Sequence, residues 1–190
     1  GMRRIFAGFA LALLAAPGLA AAADTYKIDS SHTYPNFTVS HLGFSTMHGR
    51  FNETTGTIVM DREGGDSAVD ITIQTASIDT GHDKRDEHLR NTDFFNVSEY
   101  PTITYKSENV YFQGEDSATV TGNLTMLGTT KRVTLHVNSI NCGEHPMSGD
   151  QVCGFNAITT VKRSDFGMTK FVPAISDEID IRIEAEAVRQ

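Results

Sequence analysis

The segment DEIDIRIEAEA at residues 177–187 decides the class of fold. Within it, Ile179, Ile181 and Ile183 alternate with charged residues. Successive side chains of a β-strand point to opposite faces, so this period of two predicts a strand with one apolar face and one charged face. Half-buried strands of this kind are typical of antiparallel sheets that cover a core on one side only.

The same alternation runs through most of the chain. It recurs in three further segments, at residues 67–75, 118–126 and 132–139. In residues 101–114 the parity of the apolar positions changes between Ser107 and Asn109, which predicts a β-bulge or a short turn. Only residues 82–91 have helical character, so the sequence predicts one all-β domain of eight or nine antiparallel strands.

The N-terminal residues have the pattern of a secretory signal peptide. Arg3 and Arg4 precede an apolar run at residues 5–16, which is too short to span a bilayer and is followed by small residues. We expect residues 2–23 to be cleaved and residues 24–190 to form the exported domain. No later apolar run is long enough to span a membrane, so we expect no integral membrane segment after processing.

The charge of the chain limits the classes of partner. The net charge is −8, and without the two N-terminal arginines 14 basic residues face 24 acidic ones. Such an acidic balance disfavours nucleic acid and anionic membrane surfaces as electrostatic partners.

Two cysteines, Cys142 and Cys153, flank a turn-rich segment. Because export leads to an oxidising compartment, we expect them to form a disulfide that staples a hairpin. A pair of free thiols or a metal-binding pair is the alternative.

The sequence contains none of the common catalytic motifs. It has no nucleophile elbow, zinc-protease helix, phosphate-binding loop or dinucleotide fingerprint. The 7 histidines have no spacing typical of a metal site. We therefore expect a protein that is not an enzyme and has neither metal nor cofactor. Composition alone leaves a β-barrel and a β-sandwich equally open.

Four segments resemble the YceI-like family in the family's order. They are DSSHTYPNFTVSHLGFSTMHGRF (29–51), RDEHLRNTDFFNVSEYPTITY (85–105), VTGNLTMLGTTKRVTLHV (120–137) and GFNAITTVKRSDFGM (154–168). The resemblance implies a single lipocalin-like antiparallel β-barrel of about eight strands. It thereby favours a barrel over a sandwich. It also implies that the protein is located in the periplasm. It further implies a tunnel that binds a polyisoprenoid or a similar long apolar lipid, and no catalytic residues. The cysteine pair is not expected in every member.

The apolar members of the alternating strands are the candidates for lining that tunnel, although each could equally serve plain core packing. They are Phe37, Val39, Ile71, Ile73, Ile103, Tyr105, Leu124, Met126, Leu135, Ile181 and Ile183.

Residues 82–96 are predicted to form a short helical cap over one mouth of the barrel. Leu89, Phe94 and Phe95 are its candidate lipid contacts. If the segment containing Phe94 and Phe95 were extended, the two rings would point to opposite sides, one plugging the barrel and the other packing under the helix.

A polar lipid head group would lie at a mouth of the barrel, where an arginine can bind a phosphate with two hydrogen bonds. The candidates for this contact are His32, His41, Arg50, Arg85 and Arg163. Three rival functions are a scavenger of other amphiphiles such as fatty amides or antibiotics, an enzyme acting on an apolar substrate, and a solid-core interaction module. The oligomeric state is open, and a homodimer is one possibility.

Overall fold

The structure, a computed structural model, describes residues 23–190. The predicted signal peptide at residues 2–23 therefore lies, except for its last residue, outside the described residues. The described part contains eleven β-strands, one α-helix and three short turns of 3-10 helix. In chain order the strands and the helix are β1 (Asp24–Ile28), β2 (Tyr34–His41), β3 (Ser45–Phe51), β4 (Thr54–Met60), β5 (Ala68–Gln74), β6 (Ile78–Asp79), α1 (Asp83–Arg90), β7 (Thr102–Gln113), β8 (Ser117–Met126), β9 (Thr129–Glu144), β10 (Gln151–Lys162) and β11 (Glu178–Arg189).

Strand β11 closes the sheet into a barrel. Along one edge it pairs with β10 over its whole length. Along its other edge, residues 180–184 pair with β2 and residues 187–189 pair with β1. From β1 the hydrogen-bonded order continues through β4, β5, β7, β8 and β9 to β10, so eight antiparallel strands form a ring. The predicted all-β barrel is thus confirmed, and a sandwich is excluded.

Three adjacent strands of the ring are bent, and each is therefore divided into two segments. The first bent strand consists of β1 and β2, the second of β3 and β4, and the third of β5 and β6. Between the first and second strands, β1 pairs with β4 and β2 with β3. Between the second and third, β4 pairs with β5 and β3 with β6. The first bend is the 3-10 turn Ser30–His32, in which the carboxylate of Asp29 accepts a hydrogen bond of 2.9 Å from the Ser31 amide. These bends explain why the described residues contain eleven strands whereas the barrel has eight.

The two ends of the barrel are built differently. The hairpin end carries the β4–β5, β7–β8 and β9–β10 turns, and the cap end carries α1, the β2–β3 turn and residues 163–177. Helix α1 begins after His82, whose Nδ1 accepts a hydrogen bond of 3.2 Å from the Arg85 amide. The buried carboxylate of Asp86 accepts a hydrogen bond of 2.9 Å from the Thr80 amide and so fixes the helix to the end of β6. The short helical cap is confirmed.

Two local predictions are also confirmed. The register between β7 and β8 shifts between Ser107 and Asn109, where the bulge was predicted. Cys142 and Cys153 face each other in the β9–β10 pair and are joined by a disulfide, which staples the hairpin end.

At Gly49 an aromatic ring approaches the wall of the barrel so closely that only glycine permits the contact. Gly49 on β3 lies opposite Phe37 on β2, and the aromatic ring covers the glycine. A Cβ atom at position 49 would lie 2.8 Å from Cε2 of Phe37 and closer still to Cζ. The missing side chain therefore sets the direction in which Phe37 points.

We predict that Gly49→Ala destabilises the protein by about 1–3 kcal/mol, because the added methyl group displaces the Phe37 ring. Chemical denaturation followed by circular dichroism measures this change. Gly143→Ala is the matched control, since a Cβ atom at that β-strand position would have no neighbour within 4 Å. Equal stabilities of the two variants would contradict the prediction.

Candidate functional site: an apolar barrel cavity

A narrow cavity of about 280 Å³ lies inside the barrel. It runs from Met60 and Phe112 near the hairpin end to Phe94 and Met168 at the cap end. The wall is almost entirely apolar, because the inward positions of the alternating strands are occupied by aliphatic and aromatic side chains. Eight strands leave an interior just wide enough for side chains or for one small ligand.

All fourteen residues predicted from the sequence as lipid contacts line this cavity. They are Phe37, Val39, Ile71, Ile73, Leu89, Phe94, Phe95, Ile103, Tyr105, Leu124, Met126, Leu135, Ile181 and Ile183. Their position on the wall is a property of the fold, whereas their contact with a lipid stays a prediction.

Phe94 and Phe95 both line the cavity, because the segment that carries them is not extended. Residues 92–95 form successive turns after α1, so neighbouring side chains need not point to opposite sides. Phe95 stacks edge-on against Phe51 at 5.5 Å, and Phe94 lies edge-on to His88 at 5.1 Å. The cap therefore contributes two adjacent aromatic rings to one end of the cavity.

Several wall residues were not identified from the sequence. Ala157 is in phase with Phe155 and Val161 on β10, so alternation was sufficient to find it. Ile140 lies beyond a register shift in the β9–β10 pair and is out of phase with Val137, so alternation alone would have missed it. Met168 and Ile175 lie in the connection between β10 and β11, which has no periodic pattern and gave no signal.

Two hydroxyl groups on the wall differ in their hydrogen bonding. The Tyr105 hydroxyl donates to the Val133 carbonyl at 2.9 Å, and burial raises the pKa of this phenol, so it stays neutral. The Thr54 hydroxyl is buried and has no hydrogen-bond partner within the part of the chain that the structure describes. A buried polar group without a partner is unfavourable, so the Thr54 hydroxyl lowers the stability of the fold.

Arg163 is the one charged residue on the cavity wall formed by residues 23–190. It is only 4% exposed, and its guanidinium donates to three backbone carbonyls: Ser176 at 2.9 Å, Ile175 at 2.9 Å and Met168 at 3.1 Å. Burial lowers its pKa, and the charge of nearby Asp177 opposes that shift. Arg163 thus ties the segment before β11 to the end of β10, and its contact with a head group stays a prediction.

The other four head-group candidates do not line the cavity. Arg50 is exposed on β3 and lies over the Tyr34 ring at 4.3 Å. The Arg85 guanidinium donates to Thr80 at the start of the cap. His41 ends β2 and bridges to Ile175, and His32 lies at the outer bend between β1 and β2.

Within the described residues, one group of three side chains has the geometry to hold a metal ion: Asp29, His32 and Glu186. Nδ1 of His32 lies 2.9 Å from Asp29 and 3.4 Å from Glu186. The hydrogen bond to Asp29 raises the pKa of His32. A proton on Nδ1 of His32 can therefore bond the carboxylates of Asp29 and Glu186 without a metal ion. The group lies on the outside of the barrel, with His32 64% exposed, and is separate from the cavity.

Fold and cavity together define a class of protein: a closed antiparallel β-barrel with a long apolar interior and a helical cap. Residues 26–187 match the YceI-like domain, and the chain belongs to this family. It is 40% identical over both full lengths to a protein named UPF0312 protein from Pseudomonas aeruginosa, and 39% identical, again over both full lengths, to Protein YceI of Salmonella arizonae.

Solved structures share the fold. The Campylobacter jejuni YceI protein superposes with a TM-score of 0.71 at 30% identity, covering 80% of this chain and 90% of that one. Burkholderia cenocepacia BcnA has a TM-score of 0.74 at 22% identity, covering 84% and 98% of the two chains. A polyisoprenoid binding domain from Saccharophagus degradans has a TM-score of 0.66 at 18% identity, covering 87% and 98%. At these identities the last two comparisons concern the fold alone.

We predict that Arg163→Met lowers the free energy of unfolding by about 2–4 kcal/mol, because three buried carbonyls lose a charged donor. Thermal and chemical denaturation measure the loss. Arg182→Met on the exposed face of β11 is the control, and its effect is expected to be within about 0.5 kcal/mol. A tolerated Arg163→Met substitution would show that the guanidinium does not stabilise the fold.

Proposed function

We propose that this chain is an exported periplasmic binding protein that holds one long apolar lipid inside the barrel. The cargo is a polyisoprenoid, an isoprenoid quinone or a similar lipid, kept for transport, storage or sequestration. The single observation that carries the proposal is the apolar wall that runs along the barrel from the hairpin end to the cap.

The physical argument is the transfer of the lipid chain from water to that wall. Each methylene group that leaves water contributes about 0.8 kcal/mol, so a chain of many such groups needs no charged partner in order to bind. The cavity volume of about 280 Å³ is near the lower limit for ligand sites, which favours a thin linear chain as the part of the ligand inside the barrel.

The family supports a binding role more than a catalytic one. One structural relative is named for binding polyisoprenoids, and within residues 23–190 no converging acid, base and nucleophile lie on the cavity wall. Export is supported by the pattern of the N-terminal residues. Within residues 23–190 no helix is both long and apolar enough to cross a bilayer.

Two rival functions differ from the proposal in what would occupy the barrel. A scavenger of fatty amides or antibiotics would use the same apolar wall, so the identity of the extracted ligand separates it from a prenyl-lipid carrier. A solid-core interaction module would have no internal ligand at all, and the cavity along the axis argues against it.

The test is native mass spectrometry of protein exported to a bacterial periplasm, followed by solvent extraction and identification of the ligand. We expect a one-to-one adduct whose extract is a prenyl lipid or quinone.

Ala157→Phe fills the cavity from the middle of β10 and should abolish the adduct, with folding checked by circular dichroism. Ile158→Phe, the next residue and exposed on the outer face, should retain it. An unmodified wild-type mass that added prenyl lipids do not shift would refute the proposal.

The unsatisfied hydroxyl of Thr54 allows a prediction about stability. We expect Thr54→Val to stabilise the protein by about 1 kcal/mol, because a buried unsatisfied hydroxyl is removed. Chemical denaturation followed by circular dichroism measures the change. A variant that is less stable than the wild type would contradict the prediction.

A further inference from the structure

Three large apolar side chains are exposed together at the cap end of the barrel. Leu42 is 51% exposed, Phe44 is 87% exposed and Phe171 is 52% exposed. We call these three residues the rim patch. Apolar side chains gathered in this way mark surfaces that contact other molecules, whereas isolated ones need no explanation.

The rim patch is formed by two segments that are distant in sequence and held together by hydrogen bonds. The Leu42 amide donates to the Ala174 carbonyl at 2.8 Å, and the Ser176 amide donates to the Ser40 carbonyl at 3.0 Å. His41 and Ile175 form a β-bridge between these two bonds. The β2–β3 turn and the segment before β11 therefore present their side chains as one surface.

The backbone of the rim patch is strained. Leu42 and Phe171 have φ angles of 53° and 62°, in the left-handed region that is uncommon for residues with side chains. Backbone strain of this kind costs free energy and clusters at functional sites. Two large apolar residues are thus held outward at positions that glycine or asparagine would occupy with less strain.

The rim patch is continuous with the cavity. The Phe171 ring lies 6.2 Å from the ring of Phe94, which lines the cavity below the cap. Val39 and Ile175, on the two segments that carry the patch, also line the cavity. An apolar molecule entering between the cap and the rim patch would therefore pass mainly aromatic and aliphatic side chains, with the His88 ring beside Phe94 and Phe171.

We propose that the rim patch inserts into the surface of a phospholipid bilayer and that the cargo passes between bilayer and cavity at this end. The proposal rests on the proposed function, because a lipid cargo must leave and enter a membrane. Lys170, whose ammonium lies 5.2 Å from the centre of the Phe171 ring, supplies a cation at the level of the phosphates. Since the chain as a whole is acidic, apolar insertion drives this contact, and added salt should weaken it little.

The sequence offers a direct probe of this contact, because it contains no tryptophan. Phe44→Trp places a single fluorophore on the rim patch. With vesicles of phosphatidylethanolamine and phosphatidylglycerol, its emission should shift to the blue and be quenched by brominated lipids. Met147→Trp is the matched control: this side chain is 91% exposed in the β9–β10 turn at the hairpin end, and its emission should not change. Equal responses of the two variants would overturn the proposal.

A second measurement separates docking from cargo binding. The double variant Phe44→Ser, Phe171→Asn should take up a fluorescent polyprenol from these vesicles on the order of tenfold more slowly than the wild type, whereas Met147→Ser should not. Asparagine is used at position 171 because it tolerates a positive φ. Binding of farnesol supplied from solution should be the same in all three proteins.

The outcomes distinguish the two proposals. If all three proteins bind farnesol and take up the polyprenol from vesicles at equal rates, bilayer docking by the rim patch is overturned and the lipid-binding function stands. Failure of the wild type to bind either ligand would refute the function itself. If the double variant sediments as a smaller species than the wild type, the rim patch is a contact between two copies of the chain, and bilayer docking is rejected.

Discussion

The pairing of β11 with both halves of the bent first strand is the constraint on which the rest of the structure depends. One strand must satisfy the backbone groups of β10 along one edge and those of β1 and β2 along the other. Once these bonds form, the ring of eight strands is closed, and the apolar faces of the strands meet inside. The interior then holds a cavity of about 280 Å³ whose wall is almost entirely apolar.

Closure also explains why charge is nearly absent from the cavity. Polar side chains alternate with apolar ones along every strand, so closing the ring places the charged residues outside. Arg163 is an exception because it lies in the 3-10 turn after β10, outside the alternating strand. Three backbone carbonyls accept hydrogen bonds from its guanidinium there. The cation therefore stabilises the connection into β11, and the rest of the cavity wall is almost entirely apolar.

The bends in three adjacent strands give the cap end its shape. Strand β6 pairs with β3, whereas β7 pairs with β5. Residues 80–101 connect β6 to β7 at this end of the barrel, and α1 with Phe94 and Phe95 covers the end. The β2–β3 turn and the segment before β11 then meet beside the cap and expose the rim patch. The cap-end opening of the cavity, the aromatic cap and the rim patch thus lie at the same end of the barrel, while the disulfide fixes the opposite end.

The sequence by itself determined the strands, the face that each buries, the bulge near Ser107, the disulfide and the short helix, because each depends on local periodicity or local chemistry. Periodicity also selected eleven of the fourteen predicted wall residues. Periodicity left open whether the sheet closes; the family resemblance implied a barrel, and the tertiary structure shows it. Only the tertiary structure decided that Phe94 and Phe95 share one cavity and that Met168 and Ile175 join its wall. These features depend on contacts between residues far apart in the chain, and turns and connections have no period from which such contacts can be read.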